Sequence, residues 1–594
     1  MGWRNHHWVL AALYAAVTLA IAALLVKAGV PWNSDDAIPV LMSNDGRRGW
    51  FDLYYWGQDR FGGWPWKLAS WLRWPFGFGW TPERLSFAQI AFTLLGGLIF
   101  PWRLGRAGWP AAVAWVLSST LLWRLPELHR ALGQPYGTQG VLVVAALAFL
   151  SRETLARVET AAATMFCFVA NWTSSASAPI LLGASVALLL SRRPLELRRR
   201  APPLILPVIL GAGLELIMRG LYHVSAKRTF GHAYAGEVAF DGGHLAKNFF
   251  AMASPFTSNV LLGAIALTAI VATAVVLVRP PPGPTLLLLS QWLGALTAAA
   301  AANFVLTVIV KHVRINGHDD RFLMPSYLFF AVAAAMAITI AMLSVRPRLE
   351  VFAPACLALL LWPLLSPASR VAYDEIRADR EALAVLRRQG AELLIGGYWD
   401  VYPIVAVDTT RTVEGLVTEF DHNRTPWAPR MLQRKPRTWL VTGSSESVGQ
   451  DQRSSPFRLE YGYVLAVDRG GSIAVRGRRL WPVRFVDEAR ALRAAGMPHH
   501  AGACHGERLS LGGSLPPGTV WIRATAPAAA LRLSGHSRHG PTSLAPVASF
   551  TQHVRFELPE PLDAPSLELS PHEGPCDVYR AAWVPHTSAA LGPG

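Results

Sequence analysis

The stretch Asn33-Ser34-Asp35-Asp36-Ala37-Ile38-Pro39-Val40 sets two adjacent carboxylates directly after the first hydrophobic run, Trp8 to Val30. An acid at the boundary between water and lipid is a functional candidate by position, because its charge is expensive to hold there. Two neighbouring carboxylates suit a general base that takes the proton of an acceptor hydroxyl, beside a second acid that orients the acceptor or a cation. The alternative is structural: Asp35 could cap a helix that opens at Ala37. Residue types alone leave both readings standing.

Other side chains share the traits of a site. Tyr55 and Gln58 lie in the aromatic-rich stretch Tyr54 to Gly63, with Arg60 beside them. Glu127 and His129 occupy the loop around Arg124 to Arg130, where a role in the site and ordinary solvation both account for them. His318-Asp319-Asp320-Arg321-Phe322-Leu323-Met324-Pro325 runs straight into an apolar span. The Arg321 guanidinium is thereby placed at headgroup depth, where it can grip a phosphate with two hydrogen bonds or simply set topology. Lys227, Arg228, His232, His244 and Lys247 form a second basic set. The histidine spacings match no standard metal site, and a divalent metal at the acidic pair is compatible with the sequence without being required by it. No glycine-rich phosphate loop follows a strand and no Gly-x-Ser-x-Gly occurs, which points away from nucleotide-sugar and ATP chemistry.

The elements that must hold these groups are hydrophobic. Of 594 residues 52% are hydrophobic and 16% charged, whereas an average soluble domain carries about 25% charged residues. Runs able to cross the ~30 Å hydrocarbon layer fall at 8–29, 85–104, 107–123, 136–151, 158–171, 178–191, 202–218, 257–278, 284–310, 322–344 and 349–368, about eleven in all. The basic connections Arg103–Arg106, Arg152–Arg157, Arg192–Arg200, Arg279 and Arg346–Arg348 fall on one side of this alternation, which the positive-inside rule makes cytoplasmic. The Asp35-Asp36 loop, the loops at 124–135 and 219–256, and His318–Arg321 then face the other way, as does everything after Ser369. The net charge of +16 is read as serving anionic headgroups and a lipid phosphate, not nucleic acid. The first run lacks a small-residue cleavage site and reads as an uncleaved anchor. Trp64, Leu68 and Trp71 share one helical face and Lys67, Ser70 and Arg73 another, the pattern of a helix lying in the interface.

Past Tyr373 the pattern changes. Asp374–Gln389 reads as an amphipathic helix, Glu392–Gly396 as a strand, Asp400–Val407 as a second helix and Thr438–Thr442 as a second strand, a small α/β domain. Beyond His499, His500 and His505, short alternating runs at Val520–Ala524, Ala530–Leu533, Val554–Leu558 and Ser566–Leu569 read as a β-sandwich. Domains are therefore expected at 1–370, 371–490 and 500–594. Cys504 and Cys576 bracket the last, and an exterior compartment would permit them to form a disulfide.

In this order the motifs resemble the GT-C superfamily of integral-membrane glycosyltransferases, and within it the bacterial protein-mannosyltransferase and aminoarabinose-transferase group. The acidic pair of that group, usually Asp-Glu, is matched by Asp35-Asp36-Ala37-Ile38. Its aromatic-Gly-Gln segment is matched by Tyr55-Trp56-Gly57-Gln58 through Gly62-Gly63. Its late Arg-aromatic-Leu-x-Pro is matched by Arg321-Phe322-Leu323-Met324-Pro325, and its Tyr-Trp-x-x-Tyr-Pro by Tyr398-Trp399-Asp400-Val401-Tyr402-Pro403. Asn171-Trp172-Thr173-Ser174 stands where the group has a short turn between half-length spans. The resemblance covers roughly residues 1–420 and implies a polytopic α-helical protein of the cell (inner) membrane with its C-terminal region outside the cytoplasm. It further implies a hexosyl- or pentosyltransferase with a polyprenyl-phosphate-linked sugar donor, a glycan, lipid or protein acceptor, and membrane lipids around it. The expected site has Asp35 as base with Asp36 assisting, Arg321, Lys247 and Arg60 on the donor phosphate, and Tyr55, Gln58, Glu127, His129 and Tyr398 on substrate. One direct displacement would invert the anomeric centre. The rival is a transporter, flippase or non-catalytic scaffold for cell-envelope polysaccharide, though the spans lack the chain of ionisable residues a relay needs.

Overall fold

The computed structural model describes residues 2–29, 32–45, 53–56, 61–124, 135–152, 156–191, 194–226, 242–310, 313, 318, 320–345, 373–417, 425, 428–442 and, between 457 and 585, the β-strands with their short turns. The chain divides into two compact units, Met1–Ile376 and Arg377–Gly594.

The first unit is helical. It begins with α1 (Gly2–Ala28), a short α2 (Ser34–Asn44), α3 (Trp64–Phe76), α4 (Pro82–Leu95), α5 (Ile99–Leu104) and α6 (Trp109–Arg124). Then come α7 (Tyr136–Leu150), α8 (Arg157–Thr173), α9 (Ser177–Leu190), α10 (Pro194–Ala226), α11 (Gly242–Ser258), α12 (Val260–Val278), α13 (Pro284–Ile309) and α14 (Met324–Val345). All the expected apolar runs coincide with helices except 349–368, which lies outside the described residues. Six helical stretches among the described residues are long and apolar enough to cross a membrane. One of them, Pro82–Thr120, is folded double. Gly105 takes a left-handed φ of 60°, which favours a residue without Cβ, and the chain reverses there. The Tyr14 hydroxyl of α1 donates both to the Leu94 carbonyl of α4 (3.0 Å) and to the Ala112 carbonyl of α6 (3.2 Å). A Cβ on Gly97 would stand 2.0 Å from that hydroxyl, so the contact needs glycine. Trp115 on α6 donates back to the Thr93 carbonyl at 2.6 Å.

α7 is buried along nearly its whole length; its 15 residues make a central core helix about 22 Å long. α12, by contrast, shows Val260, Leu261, Leu267, Val271, Val275 and Val278 to its surroundings. Such an apolar surface on the outside of a bundle matches lipid, not water. Two elements differ from expectation. α10 runs well beyond 202–218 at both ends, and α11 turns part of the 219–256 loop into helix.

The bundle has two chemically distinct ends. At one, Arg103 donates to the Ser151 hydroxyl (3.1 Å) and carbonyl (3.0 Å) at the C-terminus of α7, a favourable place for a cation, and Arg152 pairs with Glu159. At the other end, away from these arginines, lies α2.

In the second unit, α15 (Tyr373–Arg388), whose first turn is where the two units divide, precedes β1 (Leu393–Gly396), α16 (Tyr398–Ala406), β2 (Glu414–Val417), α17 (Ala428–Met431) and β3 (Thr438–Thr442). β1 lies between β2 and β3, parallel to both. β4 (Phe457–Arg458), β5 (Val464–Val467), β6 (Ile473–Val475) and β7 (Arg478–Val486) continue the sheet antiparallel, in the order β2-β1-β3-β7-β5-β4 with β6 also on β7. Asp408, just past α16, accepts from Thr410, Thr412 and Val413 and pairs with Arg387. Burial raises its carboxyl, but these bonds and that charge outweigh it and hold the pKa at about 2. Next come β8 (Ala503–Cys504), β9 (Leu509–Ser510), β10 (Ser514–Leu515), β11 (Gly518–Ala524) and β12 (Leu531–Ser537). β13 (Gly540–Leu544), β14 (Ala548–Phe550), β15 (His553–Leu558), β16 (Leu562–Leu569) and β17 (Cys576–Pro585) complete two five-stranded antiparallel sheets.

Candidate active site

α2 explains itself residue by residue. Asn33, with extended backbone, caps it by accepting from the Asp36 N–H at 3.2 Å. Asp35 is therefore not the cap; it and Asp36 fill the first turn, where the helix dipole favours negative charge. Asp36 is buried and Asp35 half-buried. Pro39 sits inside the helix and has no N–H, so the Asp35 carbonyl four residues back loses its helical donor. The Tyr55 hydroxyl replaces it, donating to that carbonyl at 2.7 Å. This links the acidic pair to the aromatic loop through a defect in the helix.

The loop is pinned from several directions. The Tyr55 ring meets Trp66 edge-on at 5.6 Å, and the Tyr55 N–H donates to the Phe61 carbonyl at 2.8 Å. Phe61 bridges to Ser174, and a Cβ on Gly62 would lie 2.2 Å from the Trp172 carbonyl oxygen. Trp64 donates to the Thr173 hydroxyl (2.8 Å) and Trp172 to the Leu53 carbonyl (2.7 Å). The Asn171–Ser174 turn is thus the seat of the loop. Tyr54 donates to Glu215 of α10 at 2.9 Å, and Arg219 pairs with the same carboxylate at 2.8 Å. Burial first, then the Glu215 charge, pushes the Tyr54 hydroxyl well up, so it stays a donor. On α3, Ser70 donates to the Asp45 carbonyl (2.6 Å) and Arg73 caps α2 at the Asn44 carbonyl. Leu68, Trp71, Leu72 and Phe76 of α3 stay exposed, as an interfacial helix requires.

Arg321 is buried in the 3-10 turn Asp320–Leu323 that leads into α14, its guanidinium 5.1 Å from the Phe322 ring centre. Asn303 of α13 fixes the turn, donating to the Phe322 carbonyl (3.1 Å) and the Ser326 hydroxyl (2.9 Å). His318, at the left-handed φ of 60°, hydrogen-bonds Asn248 Oδ1 at 2.8 Å, and Asn248 bonds His244 at 3.0 Å and the Val308 carbonyl at 2.8 Å. A non-glycine residue in that region is strained by roughly 1 kcal/mol or more; here two anchors, the second being the His318 N–H to the Val313 carbonyl at 3.0 Å, hold it.

α7 connects the two clusters. Phe61 meets Tyr136, the first residue of α7, edge-on at 5.9 Å. One turn on, Gly140 approaches Leu328 of α14 so closely that a Cβ would stand 3.2 Å from its side chain. Each contact residue lies one turn inside its own helix. The starts of α7 and α14, and with them the loop of Tyr55 and the turn of Arg321, therefore belong to the same end of the bundle, opposite Arg103.

Other expected residues fall elsewhere. Gln58, Arg60, Glu127 and His129 lie outside the described residues. Lys247 is exposed on α11 and makes no hydrogen bond or ion pair with a described residue. Tyr398 belongs to the second unit, where its ring contacts Trp399 and Tyr402. Among the described residues no group of three or more His, Cys, Asp or Glu side chains is placed to hold a metal ion. Sequence reasoning missed Glu215, Asn248 and Asn303. For Glu215 a signal existed: a lone acid in an apolar helix with Arg219 one turn later.

No family model matches the sequence, and no curated protein matches it. Among solved structures the chain is similar to the arabinosyltransferase EmbB from Mycobacterium smegmatis, at 13% identity and TM-score 0.31, covering 96% of this chain and 64% of that one. It is similar to the arabinofuranosyltransferase AftD from mycobacteria at 12% identity and TM-score 0.38, covering 96% and 59%. The third is the Archaeoglobus fulgidus oligosaccharyltransferase tethered to an acceptor peptide with the NVT sequon, at 11% identity and TM-score 0.38, covering 98% of each chain. The chain spans less than two thirds of the length of the first two. Likeness at these scores carries no argument, so the reading rests on the residues themselves.

Proposed function

We propose that this chain is a membrane glycosyltransferase of the GT-C kind, moving a hexosyl or pentosyl group from a polyprenyl-phosphate-linked donor to an acceptor outside the cytoplasm. The observation that carries the reading is the gathering, at one end of an apolar bundle, of the Tyr55-pinned Asp35-Asp36 turn and the buried Arg321 turn. In this scheme the acceptor oxygen attacks the anomeric carbon as the bond to the phosphate oxygen breaks. The acceptor proton passes to the Asp35 carboxylate, with Asp36 orienting the acceptor. The lipid phosphate leaves with the bonding pair and needs no proton, only a cation, which Arg321 supplies in a site sheltered from water. A single displacement inverts the anomeric centre. The side carrying Asp35 is read as extracytoplasmic because the arginine-rich end is opposite it.

The reading is tested by reconstituting the purified chain in nanodiscs with envelope extract as acceptor and a panel of polyprenyl-phosphate sugars. Transfer from at least one lipid donor, with release of polyprenyl phosphate and an inverted linkage by NMR, supports it. Transfer from nucleotide sugars alone, or from none, removes it.

A further inference from the structure

The sheet of the second unit has a topological switch point. β1 leads through α16 to β2 on one side, and the chain then returns to β3 on the other side of β1. In a doubly wound sheet the connections part at such a switch point, and the crevice beyond the carboxyl ends of the strands is where ligands bind. Here that crevice is bordered by Gly396-Gly397 and the first turn of α16. A Cβ on Gly396 would stand 2.7 Å from both the Val441 side chain and carbonyl of β3, so strand and turn are closely packed. A Cβ on Gly397 would meet only the Asp400 Oδ2, at 3.4 Å, which leaves the turn itself open.

We propose that this edge binds a neutral saccharide, with Trp399 stacked on the sugar face and the Asp400 carboxylate accepting its hydroxyls. Asp400 is only 8% exposed; its N–H donates to the Gly397 carbonyl at 3.1 Å, yet its carboxylate makes no hydrogen bond and no ion pair with a described residue. An acidic side chain at this position of a helix can reach back to the N–H of the cap residue; the Asp400 carboxylate makes no such bond to Gly397. Arg478, the charge that acts on it, is engaged by the buried Asp379. Burial accordingly pushes the Asp400 carboxyl up, against the pull of Arg478. A carboxylate this sheltered from water and lacking protein donors gains from a ligand that supplies them. Trp399 is 60% exposed but not loose: its ring meets Tyr398 edge-on at 5.0 Å, and Tyr398 meets Tyr402 at 5.4 Å. An exposed, fixed indole offers a π-face to the apolar side of a sugar ring, and the neighbouring carboxylate takes vicinal hydroxyls. A helix start alone would favour an anion, but Asp400 in that first turn repels one. A metal ion would want further carboxylates, and Asp379 is already paired.

The inference stands apart from the transfer reaction and is tested on the full chain in nanodiscs, against neutral tetrasaccharides of mannose, glucose, galactose and arabinose by biolayer interferometry. At least one should bind. Trp399→Ala should weaken it by about tenfold or more and Trp399→Phe much less, as expected for an exposed aromatic anchor. Asp400→Asn should weaken it by roughly 5- to 30-fold, the loss of charge-assisted hydrogen bonds. Trp102→Ala, at an exposed tryptophan of the first unit, should bind as wild type, which separates this site from the first unit. The proposal is overturned if no tetrasaccharide binds, if the Trp399 and Asp400 variants bind normally, or if inorganic phosphate binds in their place.

Discussion

The hydroxyl of Tyr55 substitutes for the N–H that Pro39 lacks, and this makes a prediction with an internal control. Tyr55→Phe removes a 2.7 Å hydrogen bond and strands the Asp35 carbonyl in a half-buried turn. Leaving such an acceptor unsatisfied costs about 1–3 kcal/mol. Because the carbonyl belongs to the proposed base itself, that loss is expected to loosen the turn and lower kcat/KM by about 5- to 100-fold. Pro39→Ala restores the helical donor and should be nearly neutral alone. In the double variant Tyr55 becomes redundant, so activity should return close to the Pro39→Ala level, a coupling of about 1 kcal/mol or more. Transfer rates in nanodiscs for the four proteins complete the cycle. A double variant as impaired as Tyr55→Phe would refute the reasoning, because the hydroxyl would then act on something other than the helix defect. A fully active Tyr55→Phe would do the same.

Arg321→Ala should abolish donor use while Arg321→Lys recovers only part of it, since a point charge lacks the two-pronged contact; a lysine variant equal to wild type would reduce the contact to simple attraction. Cys504 and Cys576 occupy directly opposed positions of β8 and β17, so non-reducing peptide mapping should find them joined, closing a long loop worth roughly 4 kcal/mol in the chain-entropy model; two free thiols would remove the cross-link. Asp408, held at about 2 against roughly 3.9 in an unfolded chain, contributes stability that is complete above that higher value and is lost as pH falls through 2. Thermal unfolding should therefore show Asp408→Asn destabilised by about 2–3 kcal/mol at pH 7 and the gap to wild type narrowing as pH falls from about 4 to 2; a pH-independent gap would contradict the assignment.

Much of this was legible because it is local. The apolar runs, the α3 faces, the helix at Tyr373–Arg388 and the strand at Thr438–Thr442 follow from periodicity, which a single segment carries. Asp35-Asp36 and Arg321 stood out as charges beside lipid. The rest depends on contacts between distant segments. Whether Asp35 caps a helix turned on Asn33, whose side chain takes the capping role two residues earlier by accepting from the Asp36 N–H. The Tyr55–Asp35 bond could have been suspected from Pro39 four residues after the acid, but which donor repairs the gap is set by the path of the loop. Tyr54 and Glu215 are 161 residues apart, and nothing in either segment names the other. α11 falls in the stretch expected as the 219–256 loop; its buried face, His244, Asn248 and Met252 at one-turn spacing, shows only once the segment is seen as a helix. The order β2-β1-β3, which creates the switch point beside Asp400, is a property of pairing that no strand states alone.

The most direct test of the account is the single-turnover rate of Asp35→Asn in nanodiscs, with a polyprenyl-phosphate sugar that the wild-type chain uses. Asparagine keeps the size of the side chain and the Tyr55 contact, which is to the backbone, while removing basicity. The rate should fall by about 10²–10⁴, with donor binding and thermal unfolding unchanged. Asp36→Asn should fall less, in keeping with an orienting role. Normal turnover by Asp35→Asn would contradict the account, because the acidic pair would then serve only to place negative charge in the first turn of α2.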